Sequence, residues 1–179
     1  MNMQLLARIQ KTRAYLDYLE NHILNVKEAY RVIRSACQNM AVFQDEEQRQ
    51  LLYKEVEAHD LSKLDIEEFT QYRESFYGCE EDGPICRSEF DDAWKHHYQN
   101  NNHHPDDWPS LDATPENHLD FERRLIHMVI DWTAMGYKFN DTAQAYYESD
   151  RCKFEFKEEA HTLLYLIFDN ITRYEGDSN

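Results

Sequence analysis

Only 4 glycines and 4 prolines are available to turn a chain of 179 residues. A sandwich or barrel of many short strands needs far more turn-makers than that. From Gln4 to Asn39 no breaker interrupts the sequence. There Leu5, Leu6, Ile9, Leu16, Leu19, Ile23 and Val26 keep to helical spacing, which predicts one long helix or two abutting ones. Further helices are expected around Leu51, Leu52, Tyr53 and Val56, running into His59-Asp60, and over Ile66, Phe69 and Tyr72 with Asp65 as the cap. Ser88 to Asn100 predicts another, carrying Phe90, Trp94, His97 and Tyr98. Glu116 to Met135 predicts the strongest, with Leu119, Phe121, Leu125, Met128, Val129 and Trp132 on it and Gly136 closing it. A short helix should begin at Asn140-Asp141-Thr142 and a last one should span Lys153 to Tyr174. Loops are expected at Gly78–Pro84 and through the proline-bearing stretch from Asn101 to Glu116. The expectation is an all-α chain, one compact domain of six to eight helices over residues 1–179.

Charge narrows the function. Against 35 acidic residues stand 19 Lys and Arg, a formal charge of −16. Long nucleic acid is a poor partner for such a chain, because counterion release needs clustered cations. With 41% hydrophobic and 13% aromatic residues, it is no disordered acidic tail. The longest apolar runs, such as Leu163–Phe168, fall well short of the roughly 20 residues of a membrane span. Cys37, Cys79, Cys86 and Cys152 form no CxxC pair, which fits reduced thiols better than a disulfide scaffold or a zinc knuckle. The expected setting is soluble and cytoplasmic.

The 9 histidines carry the chemistry. His22 lies on the first helical segment, His59 precedes Asp60, and the pairs His96-His97 and His103-His104 flank Asn100–Asn102. Asp131 sits within the strong apolar helix, a costly place for an unpaired carboxylate unless Arg123 or Arg124 neutralises it. Taken singly, each has an ordinary explanation as a solvated or packed side chain. Together His22, His59, Asp60, His97, His104 and Asp131 supply six nitrogen and oxygen donors from separate segments, a set that suits Mn, Fe, Zn, Co or Ni and not Ca²⁺. If the helix runs on, Lys63 shares a face with His59 and Asp60 and can reach a phosphate oxygen or leaving group. His127, one turn before Asp131, reads first as packing and otherwise as a partner behind a ligand or an extra ligand. Lys95 and Asn101 are further candidates for substrate contact.

His22, the run His59-Asp60-Leu61-Ser62-Lys63-Leu64 and the late Asp131 resemble the HD superfamily of metal-dependent phosphohydrolases. The resemblance covers about residues 15–135. It implies a helical core in which His22, His59, Asp60 and Asp131 hold a first metal. Members with two metals add two histidines, positions that His97 (or His96) and His104 (or His103) would fill, with Asp60 bridging. The interval between those two histidines is shorter here than the family pattern. The implied activity is hydrolysis of a nucleotide or other small phosphate ester, with Lys63 and Asp60 in the catalytic machinery. A di-iron oxygenase of the same superfamily is the first alternative. The segment from Trp94 to Pro105 with Asp131–Tyr137 also resembles an uncharacterised phage and bacterial family, so an acidic interaction protein without enzymatic activity is the second.

Overall fold

A computed structural model describes residues 3–78, 87–150 and 154–177. The expected loop beyond Gly78, Cys79, Cys86, Cys152 and the proposed helix start at Lys153 lie outside them. Among the described residues there are eight α-helices and no strand: the chain is all-α. The helices are α1 (Met3–Ala36), α2 (Ala41–Gln44), α3 (Glu46–Glu57), α4 (Phe69–Tyr77), α5 (Arg87–Asn100), α6 (His118–Phe139), α7 (Ala143–Asp150) and α8 (Glu158–Asp177). None of them is long and apolar enough to cross a membrane.

Two compact units share this chain. The first combines the residues up to Ile23 with Asp60–Asn101, and so holds the start of α1, a 3₁₀ turn at Leu61–Leu64, α4 and α5. Its core is small and aromatic: Tyr15, Leu19, Tyr72 and Ala93 are buried, with Tyr18, Phe69, Tyr77 and Phe90 packed around them. That fixes which face of α1 turns inward. The buried positions Tyr15, Leu19 and His22 follow steps of four and three, whereas Leu5, Leu6, Ile9 and Leu16 are exposed. The apolar stripe expected from sequence is therefore only partly the buried one.

The second unit combines Leu24–His59 with the residues from Asn102 onward. Here α1 buries Val26, Ala29 and Ile33 in the larger core, and Cys37, just past its end, joins them. Helix α6 is its axis. Phe121, Leu125, Met128, Val129 and Trp132 are buried as expected, but so are Ile126, Ile130 and Ala134, and even Glu122, Arg123 and His127, so α6 is buried on most sides. Each of the larger aliphatic and phenylalanine side chains adds about 1.5–3 kcal/mol by leaving water. Leu164, Ile167 and Phe168 of α8 complete the same core.

Helix ends depart from the sequence reading in three places. Asp45 accepts a hydrogen bond from the Gln48 amide at 2.9 Å and caps α3, which stops at Glu57 before reaching His59. Asp65 does not cap a helix with its side chain. Its carbonyl accepts from the Glu68 and Phe69 amides, α4 begins later, and Ile66 is exposed. Gly136 does not close α6 but lies inside it, while Asn140 takes the left-handed conformation at φ 55°. Gly136 has its own reason: a Cβ there would stand 2.5 Å from the Asp141 carbonyl oxygen, so only glycine lets the chain return so tightly.

Candidate metal centre

In the first unit the chemistry centres on Asp60. It is left-handed, at φ 59° and ψ 13°, a conformation that aspartate tolerates better than most residues. The side chain of Asn101 holds that turn: its Oδ1 accepts from the Asp60 amide at 3.2 Å, and its Nδ2 donates to Ser62 Oγ at 2.7 Å and to the His97 carbonyl at 2.8 Å. Asp60 is 3% exposed, and three basic groups approach its carboxylate. Lys63 Nζ donates to Oδ2 at 2.6 Å, His22 Nε2 lies 3.3 Å from Oδ2, and His97 Nε2 lies 3.3 Å from Oδ1. Lys63 reaches Asp60 through the 3₁₀ turn. A common α-helical face for His59, Asp60 and Lys63, expected from sequence, is not formed.

Behind His97 stands Glu68, fully buried, which sequence reasoning did not single out. Its Oε2 accepts from His97 Nδ1 at 2.8 Å and its Oε1 from His96 Nδ1 at 2.7 Å. Burial pushes the Glu68 carboxyl up, but hydrogen bonds from His97, His96 and Ser62 outweigh it and hold the group below its ordinary range. Because a carboxylate only accepts, His97 carries a proton on Nδ1, and Nε2 is the ring nitrogen left to face Asp60. A carboxylate that accepts from one ring nitrogen and so fixes the ring is the support that metal-binding histidines have. The adjacent Tyr72 ring, 5.5 Å from the His97 centroid and below Lys63, has its phenol pushed up by burial first and by Glu68 and Asp60 next.

In the second unit the corresponding centre is His59, 3% exposed. Its Nε2 lies 3.5 Å from Asp131 Oδ1 and its Nδ1 lies 3.1 Å from His127 Nε2. His103 stacks on His59 with centroids 4.2 Å apart, and His104 lies against His103 at the same separation with its ring tilted by 45°. One ring nitrogen each of His59, His103 and His127 falls within 4.8 Å of the others, close enough for a metal ion. Burial, followed by the neighbouring His59, His104 and His127, pushes His103 well below the ordinary imidazole value, against a smaller upward pull from Asp131. A neutral imidazole is what a metal requires. Neither arginine expected beside Asp131 binds it: Arg123 pairs with Glu55 and Asp120, and Arg124 with Asp120.

A sequence profile described as a family of unknown function, DUF5662, matches residues 11–172. The chain belongs to that family. No curated protein and no solved structure matches it. The span matched by DUF5662 takes in both centres, from His22 to Asp131.

Each candidate thus has a place. His22, Asp60, Lys63 and His97 are together in the first unit, and His59, His103, His127 and Asp131 are together in the second. Of the pair His96-His97, it is His97 that meets Asp60, while His96 stays half-buried on Glu68. Lys95 is exposed on α5, and the Asn101 amide, expected toward substrate, is engaged inside the unit instead. Glu55 and Glu68 escaped the sequence reading because they look like any other acid in a chain with 35 of them. Their only sequence signal is that each sits at the end of a helix or turn leading toward or away from His59-Asp60.

Proposed function

We propose that the chain is a metal-dependent phosphohydrolase acting on a nucleotide or another small phosphate ester. The observation that carries this is the Asp60 carboxylate, buried, with His22 Nε2 and His97 Nε2 each at 3.3 Å and Glu68 accepting from the other ring nitrogen of His97. Two imidazole nitrogens closing on a buried carboxylate make a mixed nitrogen and oxygen donor set, and Glu68 braces one of the rings from behind. The residues fit a divalent transition ion, Mn, Fe, Zn, Co or Ni, with His22, Asp60 and His97 as one donor set and His59, His103 and Asp131 as another. Bound there, such an ion supplies a water of lowered pKa and polarises a phosphoryl oxygen.

The protein's own groups do the rest. Lys63, 13% exposed at its side chain, is the cation that meets a phosphate oxygen or the departing alkoxide. Its Nζ lies over the Tyr72 ring, 5.5 Å from the centroid, a cation–π contact that helps to place the charge. Asn101 holds the Asp60 turn, and Glu68 holds the ring of His97. Local cations also answer how a chain of net charge −16 would draw in a phosphate.

The test is metal analysis of protein purified without chelator, then phosphate release from a panel of nucleotides. Near-stoichiometric metal and phosphate release that is lost in Asp60→Asn supports the reading. Trace metal only, with a melting temperature unmoved by Mn²⁺ or Fe²⁺, overturns it, because saturating a site at about 100 Kd adds roughly 2.7 kcal/mol. The abundance of imidazole among the donors favours one other outcome, iron with oxygen uptake and no phosphate release, which is the di-iron oxygenase reading.

A further inference from the structure

The His59 ring is held by more than its two neighbours. Behind it runs a series of polar side chains, each of which fixes the next. Arg123, 6% exposed at its side chain, donates from Nε to both oxygens of Glu55 at 3.0 Å and from Nη1 to Gln48 Oε1 at 2.7 Å. The Glu55 carboxylate can only accept, and its Oε1 takes the Asn102 Nδ2 proton at 2.5 Å. That contact decides which way the Asn102 amide faces. Its Oδ1 is turned to His127 Nδ1 at 3.0 Å, and an amide oxygen also only accepts. With one proton per ring, His127 carries it on Nδ1 and offers a bare Nε2 to His59 Nδ1, 3.1 Å away. His59 therefore carries its proton on Nδ1, and its Nε2 lone pair faces Asp131 Oδ1 at 3.5 Å.

We propose that Arg123, Glu55, Asn102 and His127 form a directional hydrogen-bond chain that pins the His59 proton on Nδ1 and presents its Nε2 lone pair, beside Asp131, to a divalent cation. The inference rests on the metal-site reading above and makes these four positioning residues, acting through His59. It also separates His127 from the ligands: in the three-histidine group, its Nε2 accepts from His59 rather than binding the ion.

The experiment uses the full chain, uniformly labelled with ¹⁵N-histidine and stripped of metal, and reads each ring's protonated nitrogen from two-bond ¹H–¹⁵N correlations. His59 is assigned by its absence in His59→Asn. The expected spectrum has His59 protonated on Nδ1. In His127→Phe the acceptor is gone, so the His59 proton should move to Nε2, toward Asp131, and Mn²⁺ affinity should fall about 10–100-fold. Asn102→Leu removes the oxygen that faces His127 and should lose the tautomer. A His59 protonated on Nε2 in the unmodified chain overturns the proposal and needs no variant to fold. So does a His127→Phe protein with unchanged tautomer and Mn²⁺ affinity. Absence of phosphate release alongside the expected spectrum and Mn²⁺ binding would remove the phosphohydrolase reading alone.

Discussion

Replacing Glu68 by glutamine tests whether a buried carboxylate braces His97. The native group accepts two charge-assisted hydrogen bonds, from His97 at 2.8 Å and His96 at 2.7 Å, with no exposure to water. Such bonds are worth about 1.5–3 kcal/mol each. Glutamine keeps one acceptor and turns an NH₂ toward the other ring, so one bond is lost and the other weakened. The expected cost is about 2–3 kcal/mol, or roughly 4–12 °C in melting temperature for a chain of this size. The sign of the pH dependence follows from the depressed Glu68 carboxyl. A native value below the unfolded one of about 4.5 adds stability that is complete above that pH and is lost as pH falls through the native value. The difference between wild type and Glu68→Gln should therefore be full at pH 7 and shrink below about pH 4.5. Urea unfolding of metal-free protein at both pH values measures it, and a Mn²⁺ titration at pH 7 should show affinity down about 10-fold. Equal urea midpoints at pH 7, with equal slopes, would refute the claim that Glu68 is an ionised acceptor for both rings.

Other outcomes are equally specific. Asp60→Asn should keep the fold, since asparagine also tolerates the left-handed turn, and should lose metal by equilibrium dialysis. Lys63→Met should retain metal but lower phosphate release by about 10²–10³-fold, the usual loss when a donor to developing charge is removed. Burial pushes the Cys37 thiol up to about 11, so peptide mapping after iodoacetamide at pH 8 should find it unmodified in native protein and alkylated in urea. Gly136→Ala places a methyl 2.5 Å from the Asp141 carbonyl oxygen and should cost about 1–3 kcal/mol, read as a lower urea midpoint.

The helical class and the core of α6 were legible in the sequence because periodicity and the shortage of breakers act locally. Which face of α1 is buried was not. Leu16 and Tyr15 are neighbours about 100° apart around the helix, and only the aromatic partners brought in from α4 and α5 select the tyrosine. Single histidines and aspartates at His22, His59, Asp60, His97 and Asp131 stood out by residue type and order. Their supports did not. Glu68, Glu55 and Asn102 matter through hydrogen-bond direction, which depends on distances such as the 2.5 Å between Asn102 and Glu55 and leaves no periodic trace. Asp60 shows the same limit: the sequence suggested a continuous helix through Lys63, and a single left-handed residue replaced it with a turn.

Neither compact unit is written as one uninterrupted stretch: the chain passes between them after Ile23, His59 and Asn101. On a ribosome, the first unit's aromatic core must wait for Tyr72 and Ala93 to emerge before Tyr15 and Leu19 gain their neighbours. Long-range closure of this kind slows folding relative to helix pairs that meet in order. A nascent chain stalled before α5 would leave His22 and Asp60 without His97, so truncation from the C-terminal side should abolish cation uptake well before it abolishes helicity.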